Sequence, residues 1–312
     1  MSVFLGIDTS NYTTSVSVYQ NGRIVKNCKR PVYVKAGERG TRQSDAVFSH
    51  VKNLPEIMEE IGALSPTAIG VSIRPRDVEG SYMPCFLAGY TTASALASVL
   101  NIPLYTFSHQ AGHVRAALYS SGQDKLVNSK LIAFHVSGGT TEVLLYDGGK
   151  IDRIGGTNDL NAGQLIDRIG VRLGLSFPCG KELETIADFD AMKREGARPM
   201  SSVKGLYCNL SGLENKAESF LTKGISKEAI AAFVLASIEK TLATLVKAAH
   251  ETCGAMPVLF SGGVSSNRYL QTKLHQKFGA FFAEPIYSAD NAAGIAILCK
   301  ERYEQCHRTE SF

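Results

Sequence analysis

The chain has 312 residues, 44% of them hydrophobic and 20% charged, with a net charge of +4. That size predicts about two domains with a sizeable core, and the balance is that of a globular protein rather than a disordered or fibrous one. The mild positive charge permits an RNA or nucleotide partner without arguing for one, and seven cysteines with no C-x-x-C pair fit reduced thiols, not a disulfide framework. No charged segment followed by an apolar stretch opens the chain, and no uninterrupted apolar run reaches the ~18 residues of a membrane span. The expectation is a cytoplasmic protein with no membrane partner.

In chain order, residues 5–25 read as a strand, a small-residue turn, a second strand and an Asn-Gly hairpin signal. A basic stretch follows, with Arg23, Lys26, Lys29, Arg30, Lys35, Arg39 and Arg42; it reads as a solvated loop or as a docking surface for an anion or RNA. Ser44 to Ile61 has helical spacing, and Ala68 to Ile73 is a short apolar strand. The polar loop RPRDVEGSYMP precedes a helix from Phe86 to Leu100 and a strand from Leu104 to Phe107. Strands follow at Leu131 to Val136 and Glu142 to Leu145, then a helix from Asn161 to Leu173 capped by Asn161 or Asp159. Lys227 to Cys253 is a long helix and Pro257 to Phe260 a buried strand. Ser265 or Ser266 caps a helix from Asn267 to Phe278, and Asp290 opens a last helix through Ala296. Strands and helices alternate throughout, which predicts an α/β fold.

One pattern organises the whole. Residues 132–152 repeat residues 5–25 without a gap, at a shift of 127 positions: Thr13 and Thr14 meet Thr140 and Thr141, Val16 meets Val143, Tyr19 meets Tyr146, and Gly22 meets Gly149. A repeat of this length predicts two similar domains. Each small-residue turn offers backbone N–H groups and hydroxyls suited to phosphate oxygens.

Three places carry chemistry. His109 and His113 lie at i and i+4, which on a helix puts both imidazoles on one face and within reach of one metal ion. The residue after the first histidine is Gln110, an amide that takes no proton at neutral pH, so the general base of a zinc protease is missing. Asp290, after a presumed strand end, is the candidate third ligand, with a plain helix cap as its structural alternative. Two histidines and a carboxylate with open positions suit Fe(II), and also Zn²⁺ or Mn²⁺. The second place is the pair of turns Ser137-Gly138-Gly139 and Ser261-Gly262-Gly263, each after an apolar strand, where glycine lets a phosphate or ribose approach the backbone. The third is Asp167, off the apolar side of its helix. It is placed to hold ribose hydroxyls, or else to pair with Arg168 or Arg172 at the surface.

GIDTS, HQAGH, VSGGTTE, NAGQLIDRIGVRLGL, FPCG, LSGL, SGGVSSNR and SADNAAG occur in one order along nearly the whole chain. In that order they resemble the TsaD (Gcp, glycoprotease-like) family. The resemblance implies an actin- and hexokinase-like (ASKHA) two-lobed α/β fold built from duplicated ribonuclease-H-like domains. The implied lobes are 1–107, with the C-terminal helix 290–312 packing back on it, and 108–289, carrying the metal and nucleotide motifs. It implies transfer of a threonylcarbamoyl group from threonylcarbamoyl-adenylate to N6 of the adenosine beside the tRNA anticodon. It also implies a divalent metal, Fe(II) first, on His109, His113 and Asp290. An ATP- or AMP-type nucleotide in the cleft would be held by His135, Val136, Ser137, Gly138, Gly139, Asp167, Gly180, Glu184, Gly262, Gly263 and Asn267. Asp8, at the first turn, is the remaining carboxylate for taking a proton or fixing the phosphate side. The implied partners are tRNA, a YrdC/Sua5-like synthase that makes the adenylate, and TsaB- and TsaE-like subunits. Four places depart from the family pattern, all around the acceptor: Ser10-Asn11-Tyr12-Thr13 stands for S-C-D-E, Arg74-Pro75-Arg76-Asp77 for G-P-G-L, Thr140 for His, and Glu214 for a basic residue. Two other readings therefore stand beside it: a carbamoyl- or phosphotransferase on a small molecule, and a nucleotide-binding subunit without catalysis.

Overall fold

A computed structural model describes residues 2–32 and 42–308; Lys35 and Arg39 of the basic stretch lie outside the described residues. The chain divides into two compact units, Met1–Gly122 with Asp290–Phe312, and Gln123–Ala289.

The first unit opens with three antiparallel strands, β1 (Val3–Ser10), β2 (Thr13–Gln20) and β3 (Arg23–Pro31). Then come α1 (Gln43–Ile61), β4 (Ala68–Arg74), α2 (Phe86–Leu100), β5 (Leu104–Ser108) and α3 (His109–Ser120). The sheet order is β3-β2-β1-β4-β5, with β1, β4 and β5 parallel. Every residue of β1 is buried, as a central strand covered on both faces must be. The boundary falls after Gly122, not after 107. The helix bearing both histidines therefore belongs to the first unit.

The second unit repeats the plan. Its meander is β6 (Lys130–Val136), β7 (Thr141–Asp147) and β8 (Lys150–Thr157). After these come α4 (Ala162–Arg172), α5 (Gly180–Ile186), α6 (Phe189–Arg194), β9 (Val203–Lys204), β10 (Tyr207–Cys208), α7 (Ser211–Thr222), α8 (Lys227–Cys253), β11 (Val258–Ser261), α9 (Arg268–Phe278), β12 (Phe281–Phe282) and α10 (Pro285–Ser288). The order is β12-β11-β6-β7-β8-β10-β9. Without the appended β10 and β9, this is the order of the first sheet. β1 and β3 start at Val3 and Arg23, and β6 and β8 start at Lys130 and Lys150, both 127 positions on. The hairpin tips also match: Asn21-Gly22 and Gly148-Gly149 all have positive φ, as a two-residue turn matched to strand twist requires.

α8 is long and apolar enough to cross a membrane, but 89% of its apolar window is buried, with Phe233, Ile238 and Leu245 in the core of the second unit. The last helix, α11 (Ala293–Arg308), belongs to the first unit and lies on β1, β2, β4 and α3. Small residues permit this. A Cβ on Gly6 would sit 2.6 Å from the Ala292 carbonyl, and one on Gly294 would collide with the Gly112 carbonyl of α3.

Two helix starts differ from the sequence expectation. Ser265 and Ser266 lie in a 3-10 turn over Gly263–Ser266, and the residue capping α9 is Asn267, whose side chain accepts from Leu270 N (3.0 Å). Asp290 does not open the last helix. Asn291 does the local bonding, accepting from Ala293 N (3.0 Å), which leaves the Asp290 carboxylate for other partners.

Candidate metal centre and nucleotide turns

In the first unit, Ser108 caps α3 by accepting from Ala111 N (3.1 Å) and donates its hydroxyl to Asp77 (2.8 Å). The cap fixes the helix start at His109, so His109 and His113, one turn apart, share a face. Their Nε2 atoms are 2.9 Å apart, and Asp290 Oδ1 lies 3.6 Å from His109 Nε2 and 3.2 Å from His113 Nε2. Atoms bound to one ion at ~2.0–2.2 Å stand about 3 Å from one another, so these separations fit a single divalent ion. Among the described residues this is the group of His, Cys, Asp and Glu side chains able to hold a metal.

Electrostatics agree with the geometry. Burial alone would lower the His109 pKa, but the Asp8 and Asp290 carboxylates outweigh it and push the imidazole up to about 10. Burial and the adjacent His109 charge lower His113. Burial would raise Asp290, yet its two histidine partners hold it well below the usual carboxylate range. The pocket thus favours a positive charge at the point where the three side chains meet.

Asp8 lies on β1 against the first histidine. It is buried, with Oδ2 2.5 Å from His109 Nδ1 and Oδ1 accepting from Ser72 (2.8 Å). A carboxylate on Nδ1 fixes the ring and leaves Nε2 for an ion. Ser10, two residues along β1 and therefore on the same face, donates to Asp290 Oδ2 (3.3 Å). One strand thus holds two of the three side chains. Ser72 and Ser10 were missed in the sequence; the signal was a hydroxyl inside an otherwise buried apolar strand.

In the second unit, the Ser137-Gly138-Gly139 turn is closed by Ser137 N donating to Thr140 O (2.8 Å). It lies on the start of α4: Gly163 N donates to Ser137 O (3.2 Å), and Asn161 Nδ2 to Gly139 O (2.9 Å). Asn161 rather than Asp159 caps α4, in a capping box with Gln164. A Cβ on Gly138, Gly139 or Gly263 would meet nothing within 4 Å, so these turns border open space. Gly262 is different: at φ +93° it passes so close to Val136 that any Cβ would strike that residue's backbone. His135 Nδ1 lies 3.1 Å from Ser261 Oγ, joining the strand ends that lead into the two turns. Asp167 pairs with neither arginine. It accepts from Cys179 N (2.8 Å), just before Gly180, while Arg168 and Arg172 pair with Glu214 and Glu218. Glu184 accepts from Arg268 N (2.7 Å), which brings α5 to the Asn267 cap.

The family model described as TsaD, tRNA N6-adenosine threonylcarbamoyltransferase, matches residues 46–297. The chain belongs to this family. It is 31% identical to the tRNA N6-adenosine threonylcarbamoyltransferase of Thermus thermophilus, covering 96% of this chain and 93% of that one. It is 33% identical to that of Thermosipho melanesiensis, covering 95% and 93%. Two solved structures share the fold at low identity. Full-length HypF in a phosphate- and nucleotide-bound form has a TM-score of 0.62 at 12% identity, covering 96% of this chain but 55% of HypF, so this chain spans about half of that protein. Component A of the (R)-2-hydroxyglutaryl-CoA dehydratase of Acidaminococcus fermentans has a TM-score of 0.57 at 16% identity, covering 97% and 100%. The likeness to these structures is one of fold, an α/β fold whose two units each repeat one sheet order.

Proposed function

We propose that this chain uses threonylcarbamoyl-adenylate as donor and modifies N6 of the adenosine beside the tRNA anticodon, with His109, His113 and Asp290 holding a divalent metal. The observation that carries the reading is the convergence of those three side chains, backed by Asp8 and Ser10, in a chain of this family. Two nitrogens and one oxygen with open positions suit Fe(II) first, with Zn²⁺ and Mn²⁺ as alternatives. When bound, such an ion supplies Lewis acidity toward an oxygen of the adenylate.

The chain's own groups do the rest. The Ser137-Gly138-Gly139 and Gly262-Gly263 turns offer backbone amides to the nucleotide, with His135 and Val136 on the strand leading in. Asp167, Gly180, Glu184 and Asn267 line the nucleoside side. The N6 amine attacks the carbamoyl carbon, the bond from that carbon to the phosphate oxygen breaks, AMP leaves with the electron pair, and the amine proton passes to solvent. Holding donor and acceptor in register is the main contribution, because such positioning is worth many orders of magnitude in effective concentration. Asp8 acts by orienting His109. TsaB- and TsaE-like subunits, a YrdC/Sua5-like synthase and a cytoplasmic site of action belong to the same reading.

One observation favours a second reading. Glu214, where the family resemblance implies a basic residue, pairs with Arg168 at 3.2 Å, so α4 and α7 present less positive charge to an RNA. A small-molecule acceptor is the alternative it supports. The test is a transfer assay with purified protein, synthetic threonylcarbamoyl-adenylate and unmodified tRNA, with and without a matching cell extract, the nucleosides read by mass spectrometry. A threonylcarbamoyl mark on adenosine is the expected result. Nucleotide binding with no mark in either mixture would reject tRNA as the acceptor.

A further inference from the structure

Two loops leave the edge of the first sheet that carries the metal centre: the turn 10–13 between β1 and β2, and the segment 75–85 between β4 and α2. Both are fastened to the centre. Ser10 donates to Asp290 (3.3 Å), Gln110 N donates to Pro75 O (3.0 Å), and Ser108 donates to Asp77 (2.8 Å). They are also fastened to each other by one amide. Gln43 Nε2 donates to Asn11 Oδ1 (2.7 Å), while Gln43 Oε1 accepts from Cys85 N (3.3 Å). Thr9 adds a second tie by donating to Cys85 O (3.0 Å).

Each of these anchored loops presents a tyrosine to solvent, Tyr12 at 44% exposure and Tyr82 at 62%. Among the described residues neither ring takes part in a ring contact or a side-chain hydrogen bond. Both stand on loops whose ends are tied by hydrogen bonds at Asn11, Pro75, Asp77 and Cys85, which limits the order lost when something stacks on them. The exposed side chain of Arg42 adds positive charge next to Gln43, the residue that ties the two loops together. Flat exposed rings with nearby guanidinium groups are the means by which proteins hold splayed single-stranded bases.

We infer that Tyr12 and Tyr82 form a stacking platform that receives unpaired nucleobases of an RNA loop beside the metal centre. This deepens the transferase reading and rests on its nucleic-acid acceptor. It gives the departure at Asn11-Tyr12 and the polar loop after β4 a role in acceptor recognition.

The probe is the anticodon stem-loop of an unmodified tRNA, with an RNA duplex of equal length as control. Tyr12→Ala and Tyr82→Ala should each weaken stem-loop binding about tenfold or more and leave duplex binding unchanged, as loss of one base stack does. Tyr12→Phe and Tyr82→Phe should bind like the wild type, because the ring face and not the hydroxyl makes the contact. The chain has no tryptophan, so Tyr12→Trp gives a single reporter whose fluorescence the stem-loop should quench and the duplex should not. Wild-type stem-loop affinity in both alanine variants overturns the platform and leaves the transferase reading intact. A wild-type protein that binds no stem-loop overturns the platform as well. Tyrosine-dependent binding with no transfer in the assay above supports the platform and rejects tRNA as the acceptor of the transferred group.

Discussion

Asp8, offered by the sequence as a carboxylate for taking a proton or fixing the phosphate side, is held between His109 and Ser72. Asp8→Asn should therefore weaken metal affinity about 10–100-fold with the fold intact, the usual consequence of losing a carboxylate behind a ligating histidine. A chelator-competition titration measures this, and unchanged affinity would return Asp8 to the pool of proton acceptors. His113→Ala should remove both the ion and transfer; full activity in that variant rejects the metal's role. His109 gives a pH prediction. With its pKa raised to about 10 by Asp8 and Asp290 over the opposing effect of burial, its stabilising contribution is complete below its unfolded value near 6.5 and is lost as pH rises through 10. At neutral pH the ring carries a proton that an incoming ion must expel. Calorimetry in buffers of different ionisation enthalpy should therefore show release of about one proton per ion bound. Buffer-independent heats would mean that His109 is neutral before binding. The two histidines were legible because four-residue spacing is a local signal. The Asp8 contact was not, because it joins residues 101 apart in sequence and depends on which strand lies under the start of α3.

The elements around the nucleotide turns are set by close approach. A Cβ on Gly163 would lie 2.6 Å from Gly138 Cα and 2.7 Å from Ser137 O. Gly163→Ala should push α4 off the turn, lower stability by about 1–3 kcal/mol and weaken nucleotide binding more than it alters metal binding. Isothermal titration with AMP, beside a melting curve, separates these effects; unaltered AMP binding would show that the turn does not hold the nucleotide. Asp159 is the pin between the end of β8 and α7, accepting from Leu210 N (2.8 Å), Ser211 N (3.2 Å) and Ser211 Oγ (2.5 Å). Burial raises its pKa, but these hydrogen bonds lower it more, to well below the usual 3.8. Its contribution is present above that unfolded value and lost as pH falls below it, so Asp159→Asn should flatten the acid limb of the stability profile. An unchanged limb would assign acid sensitivity elsewhere. At this scale the meander repeat, α2 and α8 were legible because hydrophobic periodicity and hairpin chemistry are written locally. The Asn267 cap of α9 and the start of α11 at Ala293 were not, since several adjacent Ser, Asn and Asp residues compete for each cap and tertiary partners decide among them.

The duplication was visible at the level of the whole molecule, because the strand and turn chemistry of residues 5–25 recurs in register at 132–152; the boundary was not. α3 follows β5 directly, so nothing in the composition marks which unit it joins. What decides is the contact of Gly112 with Gly294, brought together by the return of the last helix. That return makes the first unit discontinuous and the second an uninterrupted segment. It also sets an order during synthesis. Ser10 and Asp290 touch across 280 positions, and the second unit leaves the ribosome entire before the carboxylate ligand does. A nascent or prematurely ended chain displays both histidines without their third partner and lacks the helix that covers β1. On the reading that these three side chains hold an ion, capture by all of them waits until residue 290 has been made, after the whole of the second unit.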